Sequence, residues 1–392
     1  MISKIIIFIF MISPLFKISL GNSITNLHRI AILSQKNSSN STPFICDRIR
    51  FENSIYSRLC SEKPEVINLI AMATSAALEE CNKQLKYHRW DCGCSNRLFQ
   101  QIVEKYSKEA AYLNAITTAG ITYYVTKACS RGDLKFCQCS ADQQDLSGMN
   151  KDQLTNCNEN VDYGKSFTEI FLDGPVKLSI KSLIRMNIKT KMEKRKKSRS
   201  AFKIFLELYN NHVARNVIIK SMETKCKCQG ASGACTSKYC WKTLPDFSKI
   251  GEALKNKYLN AKKLPRILKK RIRKNLSMGE DISLVINDPF IEEDQLMFLR
   301  PSFDYCFPNM KLGIKGVNGR ECEDVASGPT SCNNLCCNYG FVKVKKLVVE
   351  QCNCKFKWCC KVECEKCEKM TTKFYCKIPQ TSKKFHKYYL NG

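Results

Sequence analysis

Four cysteines and one serine between residues 226 and 240 have the types and spacing for two kinds of chemistry. The run reads Cys226-Lys-Cys-Gln-Gly-Ala-Ser232-Gly-Ala-Cys235, and Cys240 follows. In an antiparallel hairpin, facing residues carry position numbers that add to a nearly constant sum. Cys226 with Cys240, and Cys228 with Cys235, satisfy that rule as nested pairs. Two disulfides would close the loop twice and turn Ser232 outward. Gly230 and Gly233 can take positive φ and leave the hydroxyl open to a large modifying enzyme, where bulkier neighbours would shield it. A plain turn serine fits the same surroundings, and so does a nucleophile on a tight turn. The nucleophile reading lacks the fifth-position glycine of that motif and needs a histidine base. His28 and His386 lie near the chain ends, and His88 and His212 have no recognisable acid partner in sequence.

A second cluster, Cys352-Asn-Cys-Lys-Phe-Lys-Trp-Cys-Cys360-Lys-Val-Glu-Cys364-Glu-Lys-Cys367, repeats the nesting. Cys352 with Cys367 and Cys354 with Cys364 would bring Phe356, Lys357, Trp358, Cys359 and Cys360 to a turn. Each closed loop of about 15 residues removes on the order of 3 kcal/mol from the unfolded state in the chain-entropy account, and nested loops do not add in full. An exposed apolar tip marks a binding site, and tryptophan is enriched where binding energy concentrates. Packing in a small core is the other reading of both aromatics.

Twenty-five cysteines in 392 residues imply a redox compartment. The opening Met-Ile-Ser-Lys4 and the apolar run from Ile5 to Phe16 read as a secretory leader over 1–21, with small residues at Ser19 and Gly21 near the cut. That run is too short to span a bilayer, and no later segment approaches about 18 uninterrupted apolar residues. The leader sends the chain along the oxidising route, where the cysteines form a disulfide framework. A zinc ribbon built on the Cys-x-Cys and Cys-x-x-Cys pairs is the competing reading. An odd cysteine count leaves at least one thiol free, shared with another molecule or modified. Asn37, Asn40 and Asn275 head Asn-x-Ser/Thr acceptors for glycosylation.

The formal charge of +28 would suggest nucleic acid for a cytosolic chain. A secreted one meets sulfated glycosaminoglycans and anionic membrane surfaces instead, so no nucleic-acid partner is expected. The densest runs are Lys189 to Arg199 and Lys262 to Lys274, and solvated insertions explain them equally well.

These residues need elements to position them. Residues 22–45 are rich in Ser and Asn and read as a mobile tail. Ser61 and Pro64 open a helix with Val66, Leu69, Ile70, Ala73 and Ala77 on one face. Further helices are expected over Leu98 to Ala128 and over Ala201 to Met222, the last running into the serine hairpin. Residues 46–247 thus read as a helical domain, and 248–300, free of cysteine, as a basic then acidic linker in which Ile250 to Leu264 could be helical. Residues 301–392 read as a cystine-rich domain with strands such as Phe341 to Val349. The fold class is α+β: a helical amino-terminal domain with a stapled β-hairpin, plus a small cystine-rich β domain. Forty-four per cent hydrophobic content excludes a wholly disordered chain.

The serine run and the Cys352–Cys367 run, with Cys376, resemble the acylation hairpin and carboxy-terminal finger of the Wnt family of secreted signalling proteins. Additional likenesses are Arg89-Trp90-Asp-Cys92 after Cys81, Ala119-Gly120 ahead of Cys129, Tyr163-Gly164 after Cys157, Trp241 with Pro245-Asp246-Phe247, and Arg320-Glu-Cys322 with Leu335-Cys336-Cys337. The resemblance implies a mono-unsaturated fatty acyl chain on Ser232, no other cofactor and no catalysis. It also implies modification by the acyltransferase Porcupine, carriage by Wntless, and binding to a Frizzled cysteine-rich domain and a lipoprotein-receptor-related co-receptor. Ser232, Gly230, Gly233, Phe356, Lys357, Trp358, Cys359 and Cys360 would meet Frizzled. The family's pairing adds Cys81–Cys92, Cys129–Cys137, Cys139–Cys157, Cys306–Cys337, Cys322–Cys332, Cys336–Cys376 and Cys359–Cys360, with Cys46–Cys60 as a further pair and Cys94 left over. This chain departs from the family at Gln229 and Lys357, where histidine is usual, in Asn210-Asn-His-Val-Ala-Arg215, and in a longer basic insertion from about Gly174 to Ser200. A non-signalling heparin-binding matrix protein is the alternative reading.

Overall fold

The computed structural model describes residues 23–35, 59–90, 92–93, 96–140, 157–229, 237–287, 291, 295–328, 330–358 and 360–377. It divides into two compact units, residues 1–84 with 102–302, and residues 85–101 with 303–392. Among the described residues, no helix is long and apolar enough to cross a membrane.

The first unit is helical. Helix α1 (Ser23–Gln35) turns Leu27, Ile30 and Ala31 into the interior, and Leu27 and Ile30 join a cluster with Val66, Ile67, Ile70, Ile121 and Val125. This corrects the reading of 22–45 as a mobile tail over residues 23–35. Spacing of i, i+3 and i+4 makes an apolar stripe that the polar composition hid. Helix α2 (Pro64–Leu85) buries Val66, Ile70, Ala73 and Ala77 on one face, with Leu69 half-buried.

The stretch expected as one helix from Leu98 to Ala128 is two, α3 (Asn96–Lys105) and α4 (Lys108–Arg131). Tyr106 at φ 53° breaks the run, and the extended Ser107 caps α4 by accepting from the Ala110 N–H at 3.5 Å. Helix α4 is buried around nearly its whole girth, which sets it at the centre of the unit. Gly120 lets α2 approach it: a Cβ there would stand 2.8 Å from Ala77 Cβ and 3.0 Å from the Ala73 carbonyl oxygen.

Helix α5 (Val161–Thr168) runs through one π-turn, Glu169–Asp173, into α6 (Gly174–Arg185). Helix α7 (Lys191–Lys220) begins well before Ala201, because Thr190 and Glu193 form a capping box and the basic insertion continues the helix. The π-turn aims Asp173 inward. Its carboxylate accepts from Asn211 Nδ2 at 2.9 Å and from the Arg215 guanidinium at 2.6 Å, and Thr118 on α4 donates to Asn211 Oδ1 at 2.9 Å.

Strands β1 (Glu223–Gln229) and β2 (Ser237–Thr243) form an antiparallel pair. Helix α8 (Phe247–Leu259), the short β3 (Lys262–Lys263), helix α9 (Arg266–Met278) and β4 (Met297–Phe298) follow. Strands β3 and β4 pair in parallel, and Asn210 holds the Met297 backbone through two 3.0 Å hydrogen bonds. The region 248–300 is therefore corrected from linker to folded part of the first unit. Ile250, Leu254 and Tyr258 on α8, and Leu268, Ile272 and Leu276 on α9, recur every fourth residue and are buried, beneath a basic surface that dominated the composition.

The second unit rests on disulfides. Cys322–Cys332 and Cys336–Cys376 surround Leu335, Phe341 and Phe374, and Cys306–Cys337 packs against Phe307 and Val317. Its strands β5 (Glu321–Cys322), β6 (Phe341–Lys357) and β7 (Lys361–Cys376) lie in the order β5-β7-β6, and α10 (Cys332–Leu335) precedes β6. Two arginines lock residues 85–93 to it. Arg320 donates to the carbonyls of Lys86, His88 and Arg89 at 2.7, 2.6 and 3.1 Å, and Arg89 donates to the Asn334 carbonyl at 2.8 and 2.7 Å.

Removing one partner of a buried ion pair costs about 3–5 kcal/mol, while replacing both with apolar groups is often neutral. Asp173→Ala should therefore lower unfolding stability by that amount and cut the secreted yield, with the double change Asp173→Leu and Arg215→Met recovering most of it in a thermal melt. A second expectation concerns acid. Burial lowers His28 to about 4 from its ordinary 6.5, so between these values the unfolded state binds a proton that the folded state does not. Hydrogen-exchange protection of α1, corrected for intrinsic rates, should be full above pH 6.5 and decline as pH falls toward 4. His28→Leu should flatten that decline.

Candidate functional site

Both candidate loops are ends of two-stranded ribbons. In the first ribbon Cys226 faces Cys240 and is bonded to it, and Cys228 faces Lys238. Most of β1 is exposed, so the ribbon is held at its base. Glu159 does most of this: its carboxylate accepts from the Leu244 N–H at 2.7 Å, from the Thr243 hydroxyl at 2.7 Å and from Lys127 Nζ at 2.6 Å. Lys127 reaches from α4 and also donates to the Leu244 carbonyl at 3.1 Å. Two further bonds continue the seam: the Glu159 N–H donates to the Lys242 carbonyl at 3.0 Å, and the Lys242 N–H donates to the Asn158 side-chain Oδ1 at 2.8 Å. The Cys139–Cys157 disulfide fixes the approach to Asn158. Below the exit of β2, Phe247 packs on Tyr123 with ring centroids 5.2 Å apart. Burial, and then the Glu159 carboxylate, push the Tyr123 phenol up to about 12.

The second ribbon, β6 with β7, pairs from Phe341 and Cys376 at the root to Lys357 and Lys361 at the tip. Cys352–Cys367 and Cys354–Cys364 cross-link it. Two cysteines two apart on one strand would share a face. A bulge between Cys352 and Lys355, where Asn353 takes φ 48°, shifts the register by one and sends the two bonds to opposite faces. At the tip Trp358 is 95% exposed and Phe356 71%, so neither is core. Val362 faces Phe356 and is also exposed. Lys357 pairs with Glu363 at 2.5 Å.

Phe356, Lys357, Trp358 and Cys360 therefore converge on one tip, while Ser232, Gly230, Gly233, Cys235 and Cys359 lie outside the described residues. Asn37, Asn40, Cys46 and Cys94 also lie outside them, and Asn275 is half-buried in α9. Cys129 is bonded to Cys137, and Cys60, Cys81, Cys92 and Cys228 are disulfide-bonded too. The expected Cys359–Cys360 bond is corrected, because Cys360 is free and exposed. Neighbouring Cα atoms stand about 3.8 Å apart, short of the roughly 4.4–6.8 Å that a disulfide prefers. The sulfurs of Cys322, Cys336 and Cys376 gather within 4.8 Å, but all belong to disulfides and offer no thiolate. Sequence reasoning missed Lys127, Asn158 and Glu159, whose only signal was their nearness to Cys129 and Cys157 in the chain.

A Wnt family model matches residues 49–377. The chain is 33% identical over 337 residues to Protein Wnt-16 of Bos taurus, covering 83% of this chain and 86% of that protein. It is 33% identical over 323 residues to Protein Wnt-5b of Xenopus laevis, covering 82% and 83% respectively. Among solved structures it resembles the chain described as human WLS in complex with WNT8A, with a TM-score of 0.53 and 28% identity over 81% of this chain and 95% of that one.

Removing the Glu159 carboxylate takes the acceptor from the Leu244 N–H and the Thr243 hydroxyl and the charge partner from the partly buried Lys127 amine. Glu159→Ala should reduce hydrogen-exchange protection at Lys242 and Leu244 by the equivalent of about 1–3 kcal/mol. Unchanged protection there would show that the ribbon is held by other means.

Proposed function

This chain belongs to the Wnt family of signalling ligands, and we propose that it acts as a secreted ligand acylated on Ser232. In this reading Porcupine adds a mono-unsaturated acyl chain, Wntless carries the product, and the ligand joins a Frizzled cysteine-rich domain to a lipoprotein-receptor-related co-receptor. The observation that carries it is Trp358, almost wholly exposed at the end of a ribbon cross-linked twice. Leaving a tryptophan in water forgoes a large burial gain, and a rigid support lowers the ordering cost of binding. Such a side chain suits a partner's pocket.

The anchored base of β1 and β2 supports the other half of the reading. A loop held there by Cys226–Cys240 and Glu159 would present its acyl chain without searching for a pose. Burying ten methylenes is worth on the order of 8 kcal/mol before losses, so the lipid supplies affinity while the tryptophan tip adds a second contact. Nothing in this mechanism requires a reaction on the ligand after secretion. The likeness to a chain captured with WLS supports the carrier step.

Cells expressing the full chain with an alkynyl fatty acid should label it, and Ser232→Ala should abolish the label. Absence of label on the unaltered chain, or equal label on the variant, overturns the acylation step. For Trp358→Ala the label should persist while the Kd for a Frizzled cysteine-rich domain rises about 30-fold or more.

A further inference from the structure

Strand β6 stands at the end of the order β5-β7-β6, so one of its two edges meets no strand. The Lys377 N–H donates to the Gly340 carbonyl at 3.1 Å, next to the pair of Phe341 with Cys376, and bonded pairs alternate along an antiparallel ladder. Even-numbered residues of β6 therefore bond to β7, and the N–H and C=O groups of Lys345, Leu347, Val349 and Gln351 turn outward. The Cys376 N–H keeps the same alternation, donating away from β6 to the Arg320 carbonyl at 2.9 Å. Among the described residues no backbone bond reaches this outward row. Burial does not cover it either. Leu347 and Val349 are each 55% exposed, and Met370, which faces Leu347 on the same side of the ribbon, is 60% exposed. A long edge with apolar side chains is a template for another strand.

The residues of the edge say which strand fits it. Lys346-Leu-Val-Val-Glu350 is its own complement when a second copy runs antiparallel with a two-fold axis at Val348. Lys346 then faces the partner's Glu350, Leu347 faces the partner's Val349, and Val348 faces its own counterpart. Within the chain the exposed Glu350 carboxylate takes no partner among the described residues. The same register satisfies the backbone, because Leu347 exchanges N–H and C=O bonds with the partner's Val349, and Lys345 with the partner's Gln351. Lys346 and Glu350 fall in the non-bonded pairs, where Cα atoms approach to about 4.5 Å and side chains lie closest. A slide of one residue sets outward groups against ones already bonded to β7, and a slide of two sets Lys346 or Glu350 against Val348. A parallel copy in register would stack Lys345 and Lys346 on themselves.

We infer that the outer edge of β6 is a self-association surface, which pairs with β6 of a second copy of this chain about a two-fold axis at Val348. On one side of the joined sheet, Leu347, Val349 and Met370 of both copies form a single apolar surface. On the other, two Lys346–Glu350 pairs flank the axis. The bulge between Cys352 and Lys355 ends the usable edge before the tip. Trp358 lies ten residues beyond Val348, about 33 Å at 3.3 Å per residue, so the two tips point in opposite directions and stay outside the pairing. Neither Ser232 nor an acyl chain takes part.

The test follows the mass of the full secreted chain by sedimentation over a range of concentrations, and repeats it with Ser232→Ala so that no acyl chain can drive association. A monomer–dimer equilibrium is expected in both. Lys346→Glu and Glu350→Lys should each raise the dimer dissociation constant about tenfold or more, since each sets like charges face to face. Joining the two changes restores opposite pairs and should bring the constant back to within about threefold of the unaltered chain. Val349→Pro removes an outward N–H that β7 does not use, so the ribbon should stay paired while the chain becomes monomeric. A monomer at every concentration, a dimer lost in Ser232→Ala, undiminished dimer in Val349→Pro, or no recovery in the joined variant overturns the surface. Binding to a Frizzled cysteine-rich domain should be unchanged in the charge variants, which separates a failure here from a failure of the receptor reading. Its loss would place this edge in the receptor contact and overturn the self-association.

Discussion

A two-stranded ribbon that stands away from a core cannot bury both faces, and by itself it is marginal in water. Both candidate loops of this chain are carried on such ribbons. Covalent bonds take over where burial is impossible, with Cys226–Cys240 on one and Cys352–Cys367 and Cys354–Cys364 on the other. Polar contacts then hold the roots. Glu159 gathers Lys127, Thr243 and Leu244 under β2, and at the root of β7 the Cys376 N–H donates to the Arg320 carbonyl at 2.9 Å, while its sulfur is bonded to Cys336. A protruding element is thereby kept rigid without needing its own apolar interior.

The helical unit solves a different problem, which is to keep a central helix in one register among several neighbours. Apolar stripes alone tolerate small slides and rotations. Thr118, Asn211, Asp173 and Arg215 connect α4, α7 and the π-turn through bonds that a slide would break. Buried charges of this kind specify an arrangement more than they add net stability. Asn210 extends the same seam to β4, which gives physical content to the paired asparagines and the arginine of that stretch.

Much of this was legible in the sequence. Apolar spacing located α2, and the nearly constant sum of paired positions anticipated Cys226–Cys240 on the first ribbon and Cys352–Cys367 and Cys354–Cys364 on the second. Where the reading failed, one signal covered another. Serines and asparagines concealed the stripe of Leu27, Ile30 and Ala31, and lysines concealed the fourfold spacing of α8 and α9. The break at Tyr106 had no strong mark, since Ser107 is a cap only once the chain has turned there. The anchoring role of Glu159 could not be read at all, because its partners are remote in sequence and meet it only in the folded chain.

The bulge at Asn353 has a mechanical consequence. With one cross-link on each face, the β6 and β7 ribbon resists flexing toward either side, like a beam braced above and below. A strand advances about 3.3 Å per residue, so the ribbon from Phe341 to Lys357 makes a boom of about 50 Å that carries both braces in its outer part. Force applied at the tryptophan is then delivered as torque to the cystine cluster at the root, where the ribbon is clamped, and little of it is absorbed along the way.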